Sequence, residues 1–375
     1  MSSSGYLKHI GKILTKKAST PVYLVFFITE NCTANCVHCL LGEREERIDE
    51  LKIDEIEKIS SSMDDILFLL LTGGEPFLRN DIDEIAYIFY KNNKISNLGI
   101  PSNGSLQEKV VEGAERILEK CKGVDFAVDI SIDSIGSEHD RLRGYEGLFE
   151  KSIWTYKELK KLKKKYHNFN LNVALTASGF NQDRLKEIYD YLKNELGADA
   201  ITYLLTRGNP RDPKAKKIDV KKYLELAEII KKDTKGGSSL LGYESFFGSD
   251  LINAMKIIRQ DVIGKIVTEN KSVLPCYAGS LSAVILSNGD VYPCELLDKK
   301  IGNLKESNYD FRKIWDNNKT RDVRKYIKDS KCFCTYECFL TNSILFTPSM
   351  FPRIFKEWLD IKKGKISSNT KRKEG

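Results

Sequence analysis

The chain is 375 residues long, 41% apolar and 30% charged, with a formal net charge of +7. That supplies core for one large α/β domain or two smaller ones. The N-terminus, MSSSGYLKHIGKILTKKAST, has no uninterrupted apolar segment, and nowhere do about twenty apolar residues run together, which argues against a signal peptide and a membrane-spanning helix and for a cytoplasmic protein.

In chain order, short β-rich runs recur at 22-VYLVFFI-28, 66-ILFLLLT-72, 96-SNLGIP-101, 126-FAVDISI-132, 170-NLNVALT-176 and 200-AITYLLT-206. Most are nearly continuous in apolar residues, as strands covered on both faces are. Helix-like segments lie between them. The clearest, 181-NQDRLKEIYDYLKNELG-197, places Leu185, Ile188, Leu192 and Leu196 on one stripe and stops at Gly197. Six strand–helix alternations imply a parallel sheet with right-handed crossovers. Six are too few for a complete eight-stranded barrel, so the expected α/β fold is a partial (β/α)6 barrel with its chemistry at the C-terminal strand ends.

Past about residue 213 the pattern changes. Helical sequence fills 219–233 and 248–268, 282-SAVILSNGDVYPCE-295 reads as a hairpin around Asn288-Gly289, and helical sequence returns before 332-CFCTYECF-339. These breaks give an N-terminal extension at 1–20, the partial barrel at 21–234, a helical linker at 235–272, a small α+β cysteine-rich domain at 273–345 and a basic tail at 346–375. The most linker-like stretch is 234-TKGGSS-239. The excess charge sits largely in 156-YKELKKLKKKYH-167, read as the solvated face of a helix, and in 362-KKGKISSNTKRKEG-375, read as a frayed terminus. Charge alone therefore does not argue for a nucleic-acid partner.

The nine cysteines are unevenly placed: three lie within 31-NCTANCVHCLLGERE-45, five lie between 276 and 338, and Cys121 stands alone in an apolar helix pattern as a packing residue. In a reducing cytosol such clusters suggest metal ligands more than disulfides. Cys32, Cys36 and Cys39 follow the first strand at its C-terminal end. Three thiolates at spacings of four and three can grip three corners of a cubane iron–sulfur cluster, or three corners of a zinc site. His38, adjacent to Cys39, is poorly placed to complete the zinc site.

The spacing resembles the CxxxCxxC motif of the radical S-adenosylmethionine (SAM) enzymes, whose residue before the last cysteine is usually aromatic and is His38 here. The resemblance continues at 72-TGGEP-76, 101-PSNGS-105, 131-SIDS-134 and 139-HDRLRG-144, each at or soon after a later strand end, and covers roughly residues 20–215. It implies that Cys32, Cys36 and Cys39 hold a [4Fe–4S] cluster with one iron left open to the amino and carboxylate groups of SAM. An electron from the reduced cluster would cleave SAM to methionine and a 5′-deoxyadenosyl radical, which abstracts hydrogen from a substrate. The resemblance also implies roles for the neighbours. Gly73 and Gly74 allow the backbone to approach the SAM ammonium, with Glu75 as an acceptor. Ser102, Asn103, Ser131 and Asp133 suit the ribose hydroxyls or the SAM carboxylate, with helix capping as the alternative. Arg143 pairs with the SAM carboxylate through its planar fork, with a surface salt bridge as the alternative. Arg207, at the end of the sixth strand, is a further candidate for SAM or substrate.

Later, 276-CYAGSLSAVILSNGDVYPC-294 resembles the opening of the SPASM or twitch extensions of radical SAM enzymes, in which a β-hairpin presents cluster ligands. A full SPASM domain carries seven cysteines and two clusters; the five here suffice for a single auxiliary [4Fe–4S] cluster with one thiol over. The expected ligands are Cys276, Cys294 and Cys338, with Cys332 or Cys334 as the fourth, and a four-cysteine zinc site is the alternative. The resemblance implies a radical SAM oxidoreductase or maturase fed by a low-potential donor such as ferredoxin or flavodoxin. Its expected substrate is a peptide or protein, since most SPASM-bearing relatives modify one, or else a small metabolite. Tyr277, Tyr292, Glu295, Tyr243 and Glu244 are candidate site-lining groups from which a general base would come. A non-catalytic binding protein would leave the GGEP and strand-end motifs unexplained.

Overall fold

The structure is a computed structural model that describes residues 9, 11, 12, 15, 18–42, 49–236 and 249–374, with side chains up to 365. Each of the six apolar runs forms a strand: β1 (Tyr23–Thr29), β2 (Phe68–Gly73), β3 (Asn97–Ser102), β4 (Asp125–Ser131), β5 (Phe169–Ala177) and β6 (Ile201–Leu205). They pair in parallel, neighbour to neighbour. Helices make the crossovers that parallel pairing requires: α1 (Ile53–Ser61), α2 (Ile82–Asn93), α3 (Gln107–Lys120), α4 (Ser137–Arg143) with α5 (Leu148–Leu162), and α6 (Leu185–Asp190). Cys121 follows α3 as a buried packing residue.

The two faces of these strands differ. Leu69, Leu71, Leu98, Ile100, Phe126, Val128, Ile130 and Tyr203 are at most 2% exposed. The residues that alternate with them, Leu70, Gly99, Pro101, Asp129, Ser131, Thr202 and Leu204, all keep accessible surface. Since successive strand residues point to opposite faces, the outer face of β2, β3, β4 and β6 is sealed and their inner face keeps accessible surface. β1 and β5 are buried on both faces, as expected from their apolar runs.

The stripe over 181–197 is buried as expected, but it is not one regular helix. A 3-10 turn (Gln182–Arg184) precedes α6, and a π turn (Tyr191–Glu195) follows it, with Leu196 N donating to Tyr191 O at 3.0 Å. The C-terminal third adds α7 (Val220–Lys235), α8 (Ser249–Glu269), β7 (Ser282–Ile285), β8 (Asp290–Tyr292), β9 (Gly302–Asn303), α9 (Phe311–Trp315), α10 (Asn318–Asp329), α11 (Glu337–Leu345) and α12 (Phe351–Glu374). The hairpin forms between β7 and β8, but β7 also pairs in parallel with β1, Tyr23 opposite Ser282 and Phe26 opposite Ile285. One nine-stranded sheet results, ordered β6-β5-β4-β3-β2-β1-β7-β8-β9.

Two expectations for this region change. The segment expected as a linker holds α8, whose Ala254, Ile258, Ile263 and Ile266 are buried together with Asn253, Lys256, Arg259 and Gln260. A helix buried on nearly every side carries no clear amphipathic stripe, and so its sequence looks like a connector. The basic tail is no frayed end within the described residues. Ile354 and Ile361 are buried, Lys362 and Lys365 reach Asp250 at 2.8 and 2.6 Å, and α12 packs along α8. A Cβ at Gly364 would lie 1.5 Å from the Lys235 carbonyl oxygen, so the α12–α7 crossing needs glycine there. Tyr243, Glu244 and the end of the 234–239 stretch fall outside the described residues.

Candidate active site

After β1 the chain leaves the sheet at its C-terminal end and runs irregularly through the first three cysteines. Backbone bonds pin this loop: Asn35 N donates to Arg143 O at 2.8 Å, Val37 N to Leu142 O at 3.0 Å and Asp212 N to Val37 O at 2.9 Å. Cys32, Cys36 and Cys39 border one cavity of about 190 Å³, together with Thr72, Gly73, Gly74, Ser102, Asn103, Ser131, Arg143 and Arg207. The structure therefore gathers three thiols from one loop and polar groups from the ends of five strands around a common space.

The glycines are required by the protein itself. A Cβ at Gly73 would sit 1.7 Å from the Thr29 carbonyl oxygen, and one at Gly74 would sit 2.0 Å from that of Asn31. Gly74 N and Glu75 N donate to those two carbonyls at 2.9 Å, which draws the GGEP turn against the start of the cysteine loop.

Glu75 and Asp133 do not line the cavity; they sit behind its wall. Glu75 has no exposed surface, and its carboxylate accepts from Asn103 N (2.7 Å), Ser102 Oγ (3.0 Å) and Phe77 N (3.2 Å). Burial pushes the Glu75 carboxyl up to about 7 against the pull of those donors. Asp133 is equally sealed; it accepts from Arg143 Nη2 (2.6 Å) and Nε (2.8 Å), lies 3.0 Å from His38 Nε2, and takes Thr176 N at 2.8 Å. Burial would raise its carboxyl, but Arg143 and then His38 hold it well below the usual range. In this structure both carboxylates are engaged by the protein's own donors rather than facing the cavity. Glu75 fixes the β3 end, and Asp133 orients Arg143 and His38.

Arg143 does line the cavity, and its pair with Asp133 is buried, not a surface bridge. Burial pushes the Cys36 thiol up to about 11, with the Arg143 guanidinium opposing it. Asn103 reaches one of the thiols: Nδ2 donates to Thr33 Oγ1 at 2.9 Å and lies 3.8 Å from Cys32 Sγ. The Ser102 hydroxyl is occupied by Glu75 and Gly104 N. Two residues escaped the sequence reading. His38 reads from sequence as a departure from an aromatic position and as a poorly placed zinc ligand, yet it bridges to Asp133. His139 Nδ1 accepts from Asp133 N at 3.1 Å, and burial holds this imidazole down to about 3, so it stays neutral. The run 139-HDRLRG-144 was singled out, but only its arginine was read.

The second cysteine set divides four to one. Cys276, Cys294, Cys332 and Cys334 border a cavity of about 220 Å³ whose other walls are apolar, including Ile266, Leu296, Leu297 and Phe339. Each of Cys276, Cys294 and Cys334 feels neighbouring thiols of this set, and burial pushes Cys276 and Cys334 up to about 12 and Cys294 up to about 11. Cys338 is absent from this wall. It is directed toward Tyr23, Arg207, Glu295 and Glu337, because α11 begins at Glu337 and its first turn carries Cys338 away from Cys334. Cys338, expected as a ligand, thus lies off this wall, whereas Cys332 and Cys334 both lie on it.

Among the described residues, no three His, Cys, Asp or Glu side chains converge as a single metal ion requires. The thiols instead ring two spaces, three around one and four around the other. That donor pattern fits one cluster with an open iron and one fully thiolate-held cluster.

Arg207 joins the two regions. From the first cavity's wall it reaches Glu337 at 2.8 Å and Glu295 at 3.7 Å, and its guanidinium lies 4.4 Å from the Tyr336 ring centroid. Tyr336 in turn donates to Glu295 at 2.6 Å. Glu337 also accepts from Leu205 N at 2.7 Å, so α11 caps the outer edge of β6. Of the other candidates, Tyr277 packs with Phe346 and donates to its carbonyl at 3.1 Å, and Tyr292 lies on β8 outside both cavities.

Comparison with known proteins agrees with this geometry. The family model of the radical SAM superfamily matches residues 26–192, and that of the SPASM iron–sulfur cluster-binding domain matches residues 276–339. The AdoMet-dependent heme synthase of Methanosarcina barkeri is 26% identical over 339 residues, 85% of this chain and 90% of that protein. Two solved structures share the fold. Streptococcus suis SuiB bound to precursor peptide SuiA has a TM-score of 0.60 at 21% identity, over 91% of this chain and 74% of SuiB. The enzyme anSMEcpe with AdoMet and the Cp18Cys peptide has a TM-score of 0.57 at 15% identity, over 94% of this chain and 99% of that one. Accordingly the N-terminal domain binds a [4Fe–4S] cluster and SAM, the C-terminal domain binds auxiliary iron–sulfur, and no helix among the described residues is long and apolar enough to cross a membrane. The chain belongs to the radical SAM superfamily, in the group that carries a C-terminal SPASM domain.

Proposed function

We propose that this chain is a radical SAM oxidoreductase with one auxiliary [4Fe–4S] cluster, acting on a small organic molecule held inside the barrel. The observation that carries this reading is the presence of two thiol sets, three and four, each around its own cavity and linked through Arg207, Glu337 and Glu295. When bound, the first cluster and SAM supply a 5′-deoxyadenosyl radical, and the auxiliary cluster supplies a one-electron acceptor. Cys32, Cys36 and Cys39 would hold the first cluster, and Cys276, Cys294, Cys332 and Cys334 the second. Gly73 and Gly74 present backbone, Asn103 and Ser131 present polar side chains, and Arg143, fixed by Asp133, presents its cation toward SAM. Ser102 shapes the same wall with its hydroxyl already engaged. The closed side of the barrel, where α11 caps β6, excludes water from a radical.

A small-molecule substrate is favoured because a relative matched over 85% of this chain is named a heme synthase. Peptide or protein modification, with the chain as a maturase, is the second reading, and the likeness in fold to SuiB and anSMEcpe, both solved with peptides, motivates it. Either reading calls for a low-potential donor such as ferredoxin or flavodoxin. Deuterium transfer into 5′-deoxyadenosine tests them together. Transfer from a labelled metabolite is expected; transfer from labelled peptides alone would reverse the order, and transfer from neither would remove the hydrogen-abstraction step.

A further inference from the structure

The buried helix α8 presents one face that no apolar packing explains. Asn253, Lys256 and Gln260 are spaced i, i+3 and i+7 and so lie on one stripe, with Arg259 at its margin. All four side chains are at most 6% exposed. Both polar atoms of Asn253, both of Gln260, and Nε and Nη2 of Arg259 find no hydrogen-bond partner among the described residues. Buried polar groups are nearly always satisfied, so a stripe with this many open donors and acceptors is built for something else.

The cationic edge of the stripe faces the barrel interior. Asp129, on the inner face of β4, interacts electrostatically with both Lys256 and Arg259. It lies two residues before Ser131, which borders the thiol cavity, or about 7 Å along the strand. Arg259 Nη1 donates to Thr341 Oγ1 at 3.2 Å, and Thr341 is one turn beyond Glu337, the partner of Arg207. The space beneath the SAM cavity thus has an apolar side, with Leu70 and Gly99 keeping accessible surface, and a polar side formed by Asp129, Thr202 and α8.

Charges on this polar side are unevenly satisfied. Glu337 is held by Arg207 and Leu205 N, and Asp129 accepts from Thr202 Oγ1 at 3.0 Å, with Lys256 and then Arg259 as the cations that act on it. Arg259 makes no ion pair among the described residues. Its unused atoms, Nε and Nη2, form one edge of the guanidinium plane, the edge that takes a carboxylate through two parallel hydrogen bonds. Burial, then Arg259, holds the neighbouring Lys256 ammonium down to about 8, so an anion seated between the two cations would relieve that repulsion.

We infer that this chamber is the substrate site and that Arg259 binds a carboxylate of the substrate, with Asn253 and Gln260 completing its polar contacts. The inference deepens the proposed function, and rests on it, by assigning the substrate to the class of organic acids. It places the acid group deeper in the barrel than SAM and leaves the apolar part of the molecule against β2 and β3, toward the radical.

A binding measurement tests it without turnover. Reconstituted, SAM-loaded enzyme is titrated by calorimetry with 3-phenylpropionate and with its neutral isostere 3-phenylpropanamide. The acid is expected to bind about tenfold or more tightly than the amide, as a charge-assisted bidentate contact requires. The preference should disappear in Arg259→Gln and fall partway in Arg259→Lys, with iron content and SAM affinity unchanged. Equal affinities in the unaltered enzyme, no saturable binding of the acid, or a preference that survives Arg259→Gln would each overturn the assignment. Because the readout is a dissociation constant, loss of SAM cleavage would sink the oxidoreductase reading and leave this discrimination standing.

Discussion

Replacing Arg207 by Met strips the counter-charge from two buried carboxylates, Glu337 at 2.8 Å and Glu295 at 3.7 Å, whose side chains are 1% and 5% exposed. Breaking a buried pair from one side costs about 3–5 kcal/mol, because the remaining charge keeps its desolvation penalty. The stacking of Arg207 over Tyr336 adds about 1 kcal/mol to the loss. Arg207→Met should therefore lower unfolding stability in urea, followed by tryptophan fluorescence, by about 5 kcal/mol. Adding Glu337→Gln removes the nearer stranded charge and keeps an oxygen for Leu205 N, so the double variant should recover about 1–2 kcal/mol relative to additivity. SAM affinity should change little, since Arg207 is already committed to two carboxylates. A single-variant cost under about 1 kcal/mol, the size of an exposed pair, or strictly additive losses would refute the clamp. A large loss of SAM affinity with unchanged stability would make Arg207 a SAM ligand instead.

Cys338→Ala should retain the auxiliary iron, whereas Cys334→Ala should lose about four irons per chain; the reverse outcome in iron analysis would restore Cys338 as a ligand. Gly74→Ala should deplete the first cluster, because its Cβ meets the Asn31 carbonyl at 2.0 Å and displaces the cysteine loop; full iron loading would contradict that. Burial lowers the pKa of His139 from 6.5 to about 3, so between those values the unfolded chain binds the extra proton. Stability from the neutral imidazole is then complete above about pH 6.5 and is lost as pH falls through that window. His139→Gln should flatten the urea midpoint against pH there, and an unchanged slope would show that another group sets it.

Much of the barrel was legible because its signals are local. All six strands lie within a residue or two of the apolar runs, and the motifs at 72–76, 101–105, 131–134 and 139–144 reach the rim of one cavity, as strand ends in a parallel sheet must. What sequence could not supply was direction. Glu75 and Asp133 belong to the right motifs but turn behind the wall, because their carboxylates meet backbone N–H groups and Arg143 there. Cys338 has ligand-like spacing, yet the helix that starts one residue earlier rotates it away. The basic helix α12 and the all-round burial of α8 depend on packing between segments far apart in sequence, which neither periodicity nor charge records.

The most direct measurement is 5′-deoxyadenosine formation by reconstituted protein under strong reduction, with the Cys32, Cys36 and Cys39→Ala triple variant beside it. The unaltered chain should hold about eight irons and release 5′-deoxyadenosine and methionine from SAM. The triple variant should keep about four irons, on Cys276, Cys294, Cys332 and Cys334, and release neither product. Continued 5′-deoxyadenosine formation by the triple variant, or none from the fully loaded unaltered chain, would contradict the assignment of the three-thiol cavity as the place where SAM is cleaved.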